Sequence, residues 1–377
     1  MKILLITDAD SIWVKEYIDN VLLTMPYKCN IYILSLHNSK FCDYYDNKGV
    51  IVYTYYSDSK YFLKRFSVRR LIIKAIKREV CNLDYIQISF VTLPGLKMLE
   101  KLWSLAPKHI VTLWGSDLLR VSNSTLKRYD SCLNKANRIN MLTENMRIRF
   151  TEYYGNKYDD KLTVFDFGCP MYDVIDSVRG EKSKFQCKEY WGINGEQIVI
   201  PIGYNSIPEQ QHDKIIDSIK DISGEVLRNV TFVFHFGYGN NSSDYREMLE
   251  TKLKKYGFNY LFIDRFLDKN EVAMLRIASD VFLYGQTTDA LSTTLVEYLY
   301  AGSMVISPKW LEYHEINALG VEYYTYNDFI SMKNILQNII ETNFEQDAYI
   351  VSKNRKLLWN FNSWAVSKSK WQEIYGE

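Results

Sequence analysis

The chain has 377 residues, 47 % of them hydrophobic and 24 % charged, with a formal net charge of +1; that composition excludes global disorder, and the length suits two cores of about 150–200 residues. The balanced charge excludes a surface built wholly for nucleic acid. Six scattered cysteines form no C-x-x-C pair, which favours a reducing cytosol over a zinc site or a disulfide framework.

From the N-terminus, MKILLIT is too short an apolar run for a signal peptide, and no stretch approaches the ~20 apolar residues of a membrane span. A cytoplasmic location is therefore expected. Short β-branched runs at 2–6, 31–36, 51–55, 85–90, 109–113, 139–143 and 162–165 predict strands. Helical periodicity fills 11–23, 61–80, 96–104, 125–136 and 144–154. This alternation predicts βαβ units and a parallel, doubly wound α/β sheet. After the charged stretch 178–197 the pattern restarts, with strands at 198–202, 230–236, 260–263, 281–284, 304–306 and 321–324 and a last helix over 362–375. The expectation is two Rossmann-like domains, 1–178 and 179–377, the last helix able to pack back on the first. A ligand cleft would open between them at the carboxyl ends of the strands.

Residues 286–306, QTTDALSTTLVEYLYAGSMVI, hold the most specific pattern. Ser292 reads as an N-cap, 293–301 as a helix and Gly302 as its C′ residue. Free backbone N–H groups at that helix start suit a phosphate. Asp289 lies in the preceding loop and Glu297 about a turn into the helix, where carboxylates can accept hydrogen bonds from vicinal hydroxyls. Spacing alone leaves a solvated, well-capped helix equally open.

D-x7-E followed by Y-L-Y-A-G and a strand resembles the E-x7-E segment of retaining GT-B glycosyltransferases, with Asp289 in place of the first Glu. WGINGEQIVIPIGYN (191–205), VTLWGSDLL (111–119) and FDFGCP are similar to other segments of that family. The resemblance implies a GT-B fold, an N-terminal acceptor domain (1–178) and a C-terminal nucleotide-sugar domain (179–377). It implies Glu297 on the ribose, Asp289 near the donor sugar as a catalytic group, and Thr288 and Ser292 beside them. Trp114 stands where a histidine is usual, and no Arg…Lys diphosphate clamp follows Ile202. GYNSIPEQQH (203–212) and FHFGYGNNSSDY (234–245) look more like bacterial fucosamine-type lipid II transferases; that likeness puts Tyr204, Asn205, His212, Tyr238 and Gly239 in the donor cleft, with Arg265 as a diphosphate cation. Asp117 in the GSD turn is a second catalytic candidate. Asp10, Ser11 and Trp114 fall on the acceptor side.

Asp8-Ala9-Asp10 spells D-x-D but follows the first strand of a Rossmann-like half, so it reads as a helix cap and not a metal site. No metal or other cofactor is expected. In 60–80, Lys60, Lys64, Arg70, Lys74, Lys77 and Arg78 fall broadly on one helical face, and Phe62, Phe66, Ile72, Ile73, Ile76 and Val80 on the other. This reads either as a core-packed helix or as an interfacial helix drawn to anionic lipid, with Lys64, Arg70, Lys74 and Lys77 as membrane contacts; no aromatic platform supports nucleic acid. The expected activity is transfer of a sugar from a nucleotide-diphosphate donor to a lipid-linked glycan acceptor in bacterial surface-polysaccharide (O-antigen or capsule-type) synthesis, peripheral to the inner membrane face. The alternatives are a sugar-nucleotide epimerase or a phosphorylase of the same fold, or a non-catalytic sugar-nucleotide-binding subunit.

Overall fold

In the computed structural model, residues 1–55, 62–239, 243–311, 313–342 and 348–376 are described. The run KILLIT forms β1 (Lys2–Thr7), with Ile3, Leu4, Leu5 and Ile6 all buried. A strand apolar on both faces belongs inside a parallel sheet covered on both sides. With β2 (Asn30–Ser35), β3 (Ile51–Thr54), β4 (Tyr85–Ser89), β5 (Lys108–Leu113), β6 (Arg138–Met141) and β7 (Leu162–Val164), it makes a seven-stranded sheet in the order β3-β2-β1-β4-β5-β6-β7. Every pairing is parallel; Leu4 sits opposite Tyr32 on one side and Ile86 on the other. The winding reverses between β1 and β4, which opens a crevice at their carboxyl ends.

The contacts divide the chain into two compact units, Met1–Gly168 with Trp364–Glu377, and Cys169–Ser363. The division falls ten residues before the expected one at 178, and 178–197 does not behave as a linker. It contributes to the helices Tyr172–Glu181 and Lys184–Tyr190, the second opened by a Ser183–Gln186 capping box. Lys184 and Lys188 hold Asp280 at 2.6 and 2.9 Å, fixing this stretch inside the second unit. The C-terminal region is two helices, Ala348–Asn362 in the second unit and Trp364–Glu373 in the first.

The second unit contains β8 (Ile198–Pro201), β9 (Val230–His235), β10 (Asn259–Ile263), β11 (Val281–Leu283), β12 (Met304–Pro308) and β13 (Tyr324–Tyr326), again all parallel. Two three-stranded sheets, β10-β9-β8 and β11-β12-β13, are joined where Ile202 bridges Leu283 and the Gly203 N–H donates to the Leu283 carbonyl at 3.0 Å. Side chains alternate across this sheet as a pleat requires: Val281 and Leu283 enter one core with Phe232 and Phe234, while Phe282 and Tyr284 enter the other with Leu295 and Tyr298. The last strand begins at Tyr324, three residues later than the expected start at 321. The α/β class and doubly wound topology are those expected.

The basic helix spans Phe62–Glu79. Ile73, Ile76 and Val80 are buried, while Arg70, Lys74 and Lys77 are exposed; Lys60 and the Lys64 side chain lie outside the described residues. Ile73, Ile76 and Val80 are thus packed into the first unit, while Arg70, Lys74 and Lys77 face outward beside an exposed Leu71; the side chains of Phe62 and Phe66 lie outside the described residues. Among the described residues no helix is long and apolar enough to cross one.

Candidate functional site

At the carboxyl ends of β8, β9 and β11 the chain leaves the sheet through glycines. Gly237, just past β9, has no room for a side chain: a Cβ there would stand 1.9 Å from the Arg265 carbonyl oxygen. Gly239 has φ +113° and packs against Ser206, which donates from its N–H and its hydroxyl to the Tyr238 carbonyl, both at 3.0 Å. These close approaches bring three tyrosines together. The Tyr204 ring lies 6.0 Å from Tyr284, nearly parallel to it, and 6.4 Å from Tyr238.

The loop after β11 then supplies Asp289. Its Oδ2 accepts from the Tyr284 hydroxyl at 2.5 Å and its Oδ1 from the Ala290 N–H at 2.8 Å. Burial, with the Asp289 charge next, pushes the Tyr204 hydroxyl up to about 12 and raises Tyr284 and Tyr313 further, so all three stay protonated around that carboxylate. Three residues on, Ser292 caps the helix Thr293–Ala301, its hydroxyl accepting from the Leu295 N–H at 3.2 Å, and Gly302 ends the helix at φ +95°.

Glu297, on that helix, is 7 % exposed. Burial raises its pKa, and the Arg276 guanidinium works against the rise. Arg276 Nε donates to Glu297 Oε2 at 3.0 Å and Nη1 to the Tyr298 hydroxyl at 2.8 Å. His235, the last residue of β9, is buried edge-on to Tyr238, 5.4 Å between ring centres, and neither ring nitrogen is hydrogen-bonded among the described residues. Burial pushes its pKa down to about 4, which leaves the imidazole neutral.

The structure therefore brings together Tyr204, Tyr238, Asp289, Ser292 and Glu297, with exposed Thr288 in the same loop. Asn205 is turned to local use, its Oδ1 accepting from the Ile207 N–H at 3.1 Å. One expectation is corrected. His212 is fully buried among Phe234, Phe236 and Tyr245, 3.1 Å from the Tyr245 hydroxyl, and burial pushes its pKa down to about 3; it is a neutral core histidine and lines no cleft. Arg265 is exposed and pairs with Glu271 at 2.5 Å at the start of the helix Lys269–Ala278, and its place as a diphosphate cation stays an expectation. Arg276, which pairs with Glu297, was not singled out in the sequence, nor were His235, Tyr284 and Tyr313. The signal was there: an arginine interrupts the otherwise apolar run VAMLRIA.

In the first unit, Asp117 is 3 % exposed. Its Oδ1 accepts from the Trp114 and Gly115 N–H groups, both at 2.9 Å, and its Oδ2 from the Val91 N–H at 2.8 Å. Those three donors make it the brace of the GSD turn. Burial still pushes its pKa up to about 6. The Trp114 ring meets Phe167 edge-on at 5.2 Å. Asp10 Oδ1 accepts from the Lys40 N–H at 2.9 Å, and Ser11 precedes the helix Ile12–Tyr17 without a side-chain cap bond. Among the described residues no group of three or more His, Cys, Asp or Glu is placed to hold a metal ion.

No protein-family model and no curated protein sequence matches the chain. Solved structures do. HepE of Anabaena in complex with UDP and glucose superposes with a TM-score of 0.76 at 14 % identity, covering 99 % of both chains. A glycosyltransferase from Rickettsia africae superposes with a TM-score of 0.77 at 16 % identity, over 99 % of this chain and 97 % of that one. The fold is GT-B. Sucrose-phosphate synthase from Thermosynechococcus elongatus shares it, with a TM-score of 0.72 at 12 % identity over 100 % of this chain and 98 % of its own. In a GT-B chain the tyrosine-lined carboxylate pair thus lies at the strand ends of the second Rossmann-like unit.

Proposed function

We propose that this protein is a glycosyltransferase that takes a hexose from a UDP-type nucleotide sugar. The observation that carries the reading is the Asp289–Glu297 arrangement at the start of a capped helix, at the carboxyl ends of β8, β9 and β11. Glu297 receives the ribose hydroxyls, the open N–H groups of Thr293 and Thr294 receive the diphosphate, and Asp289 stands by the sugar. UDP as the nucleotide is supported by solved structures of the same fold that hold UDP and UDP-glucose.

In the reaction the bond from the anomeric carbon to the diphosphate oxygen breaks, the acceptor hydroxyl oxygen bonds to that carbon, and its proton passes to the departing diphosphate oxygen. Positive charge grows on the sugar and negative charge on the diphosphate. Asp289 and the helix N-terminus stabilise those charges with groups already in place. Stereochemistry is retaining, by the D-x7-E resemblance, and no metal is required. The acceptor is a lipid-linked glycan of surface-polysaccharide synthesis, reached by electrostatic contact of the exposed Arg70, Lys74 and Lys77 with anionic lipid.

The experiment is calorimetry with UDP beside a transfer or donor-hydrolysis assay in excess EDTA. Glu297→Ala should weaken UDP by about thirty- to a hundredfold, the equivalent of about 2–3 kcal/mol. Asp289→Asn should keep UDP binding and lose turnover, because its contact matters most as the sugar gains charge. Variants that fold, bind and turn over like the parent would overturn the assignment. Saturable binding without any turnover would leave a sugar-nucleotide-binding subunit.

A further inference from the structure

Arg276 sits where an arginine is costly. Its helix neighbours Ala273, Met274, Leu275, Ile277 and Ala278 are all buried, and it is itself 4 % exposed. Removing a guanidinium and a carboxylate from water costs several kcal/mol per ion, and a buried ion pair rarely stabilises a fold more than apolar residues of the same size. Stability alone is a poor reason for the pair.

Its geometry offers a better one. The guanidinium holds Glu297 Oε2 through Nε and the Tyr298 hydroxyl through Nη1, and its carbon lies 4.2 Å from the centre of the Tyr298 ring. The carboxylate is gripped by one oxygen only: among the described residues nothing donates to Glu297 Oε1. We propose that Arg276 is the positioning residue of this site, fixing Oε2 of Glu297 so that Oε1 accepts from the vicinal hydroxyls of a nucleotide ribose. The inference rests on the donor-site reading given above.

Arg276 also sustains the charge that the contact needs. A protonated Glu297 would accept more weakly, and Arg276 is the group that opposes its protonation. The other titratable neighbours are silent near neutrality. His235 on β9 is held neutral, and burial raises the hydroxyls of Tyr238 beyond β9 and Tyr298 on the Glu297 helix. The terminal phosphate of UDP also titrates in this range, about pH 6, and does so equally for every variant, so the protonation step that belongs to the Arg276–Glu297 pair is the one that differs between variants.

The test is the affinity for UDP from pH 5 to pH 8.5 in the full chain, for the parent, Arg276→Met, Arg276→Lys and the double variant Arg276→Met/Glu297→Gln. Arg276→Met should bind more weakly as pH falls, its midpoint lying on the order of 1–3 pH units above that of the parent. The double variant should bind weakly and show only the midpoint of the UDP terminal phosphate, unshifted. Arg276→Lys guards against loss of the fold: it should keep the parent midpoint and lose about tenfold in affinity, since one ammonium cannot replace the planar fork. UDP binding by the parent, with the Met profile parallel to it or with Lys indistinguishable from it, overturns the positioning role alone. A parent that binds no UDP at any pH overturns the donor-site reading and this inference with it.

Discussion

Asp117 and Asp289 both stood out as candidate catalytic carboxylates, and their surroundings separate them. Asp289 keeps a partly exposed position with tyrosine hydroxyls around it, whereas Asp117 is buried under three backbone donors. Burial sets the folded pKa of Asp117 at about 6, above its ordinary 3.8. With the folded value raised, the contribution of this carboxyl to stability is fully present below about pH 4 and is lost as pH rises through 6. Asp117→Asn does not titrate and leaves a backbone donor poorly matched, at about 1–3 kcal/mol near pH 4. The gap should then close toward pH 7, and reverse in favour of Asp117→Asn where it started below about 3 kcal/mol. Urea unfolding of both proteins at pH 4 and pH 7 measures it, and an equal gap at the two values would sink the account.

At the scale of elements, the helix Phe62–Glu79 shows how one amphipathic pattern supports two readings until packing decides. Its apolar positions Ile73 and Ile76 enter the first unit, and Arg69 lies 4.8 Å over the Tyr55 ring. What faces outward is Arg70, Lys74, Lys77 and Arg78 around an exposed Leu71. Binding to phosphatidylserine vesicles should therefore be electrostatic. Reversing the charges of Arg70, Lys74 and Lys77 together should remove about 1 kcal/mol each at most, and added salt should remove the rest. Sedimentation unchanged by the triple variant would leave the helix a purely structural element.

Over the whole molecule, the chain returns at its end to the unit in which it began. Trp371 is fully buried there, 4.8 Å from Phe167 in a stacked pair, edge-on to Tyr17 at 5.1 Å, and its indole donates to the Asp166 carbonyl at 3.1 Å. Trp371→Ala should cost about 3–5 kcal/mol. Hydrogen exchange should place that loss in β1 to β7 while β8 to β13 keep their protection. Equal loss in both units would mean that the last helix does not belong to the first unit's core.

The periodicity of two against 3.6, read in order, was enough for the parallel α/β units, for most strands within a few residues and for the capped helix carrying Glu297, because those depend on local pattern and on glycine and serine at helix ends. Local pattern was silent wherever a side chain's meaning depends on what lies across space. The partner of Glu297 is twenty-one positions away on another helix. His212 and His235 look alike in sequence; one fills a core beside Phe234 and the other closes the end of β9 beside Tyr238. The stretch 178–197 reads as a charged connection and is fixed in place by Asp280, about ninety residues on, through Lys184 and Lys188. Burial and long-range pairing decide the charge, the protonation and therefore the use of each polar group, and only the folded chain brings those groups within reach of one another.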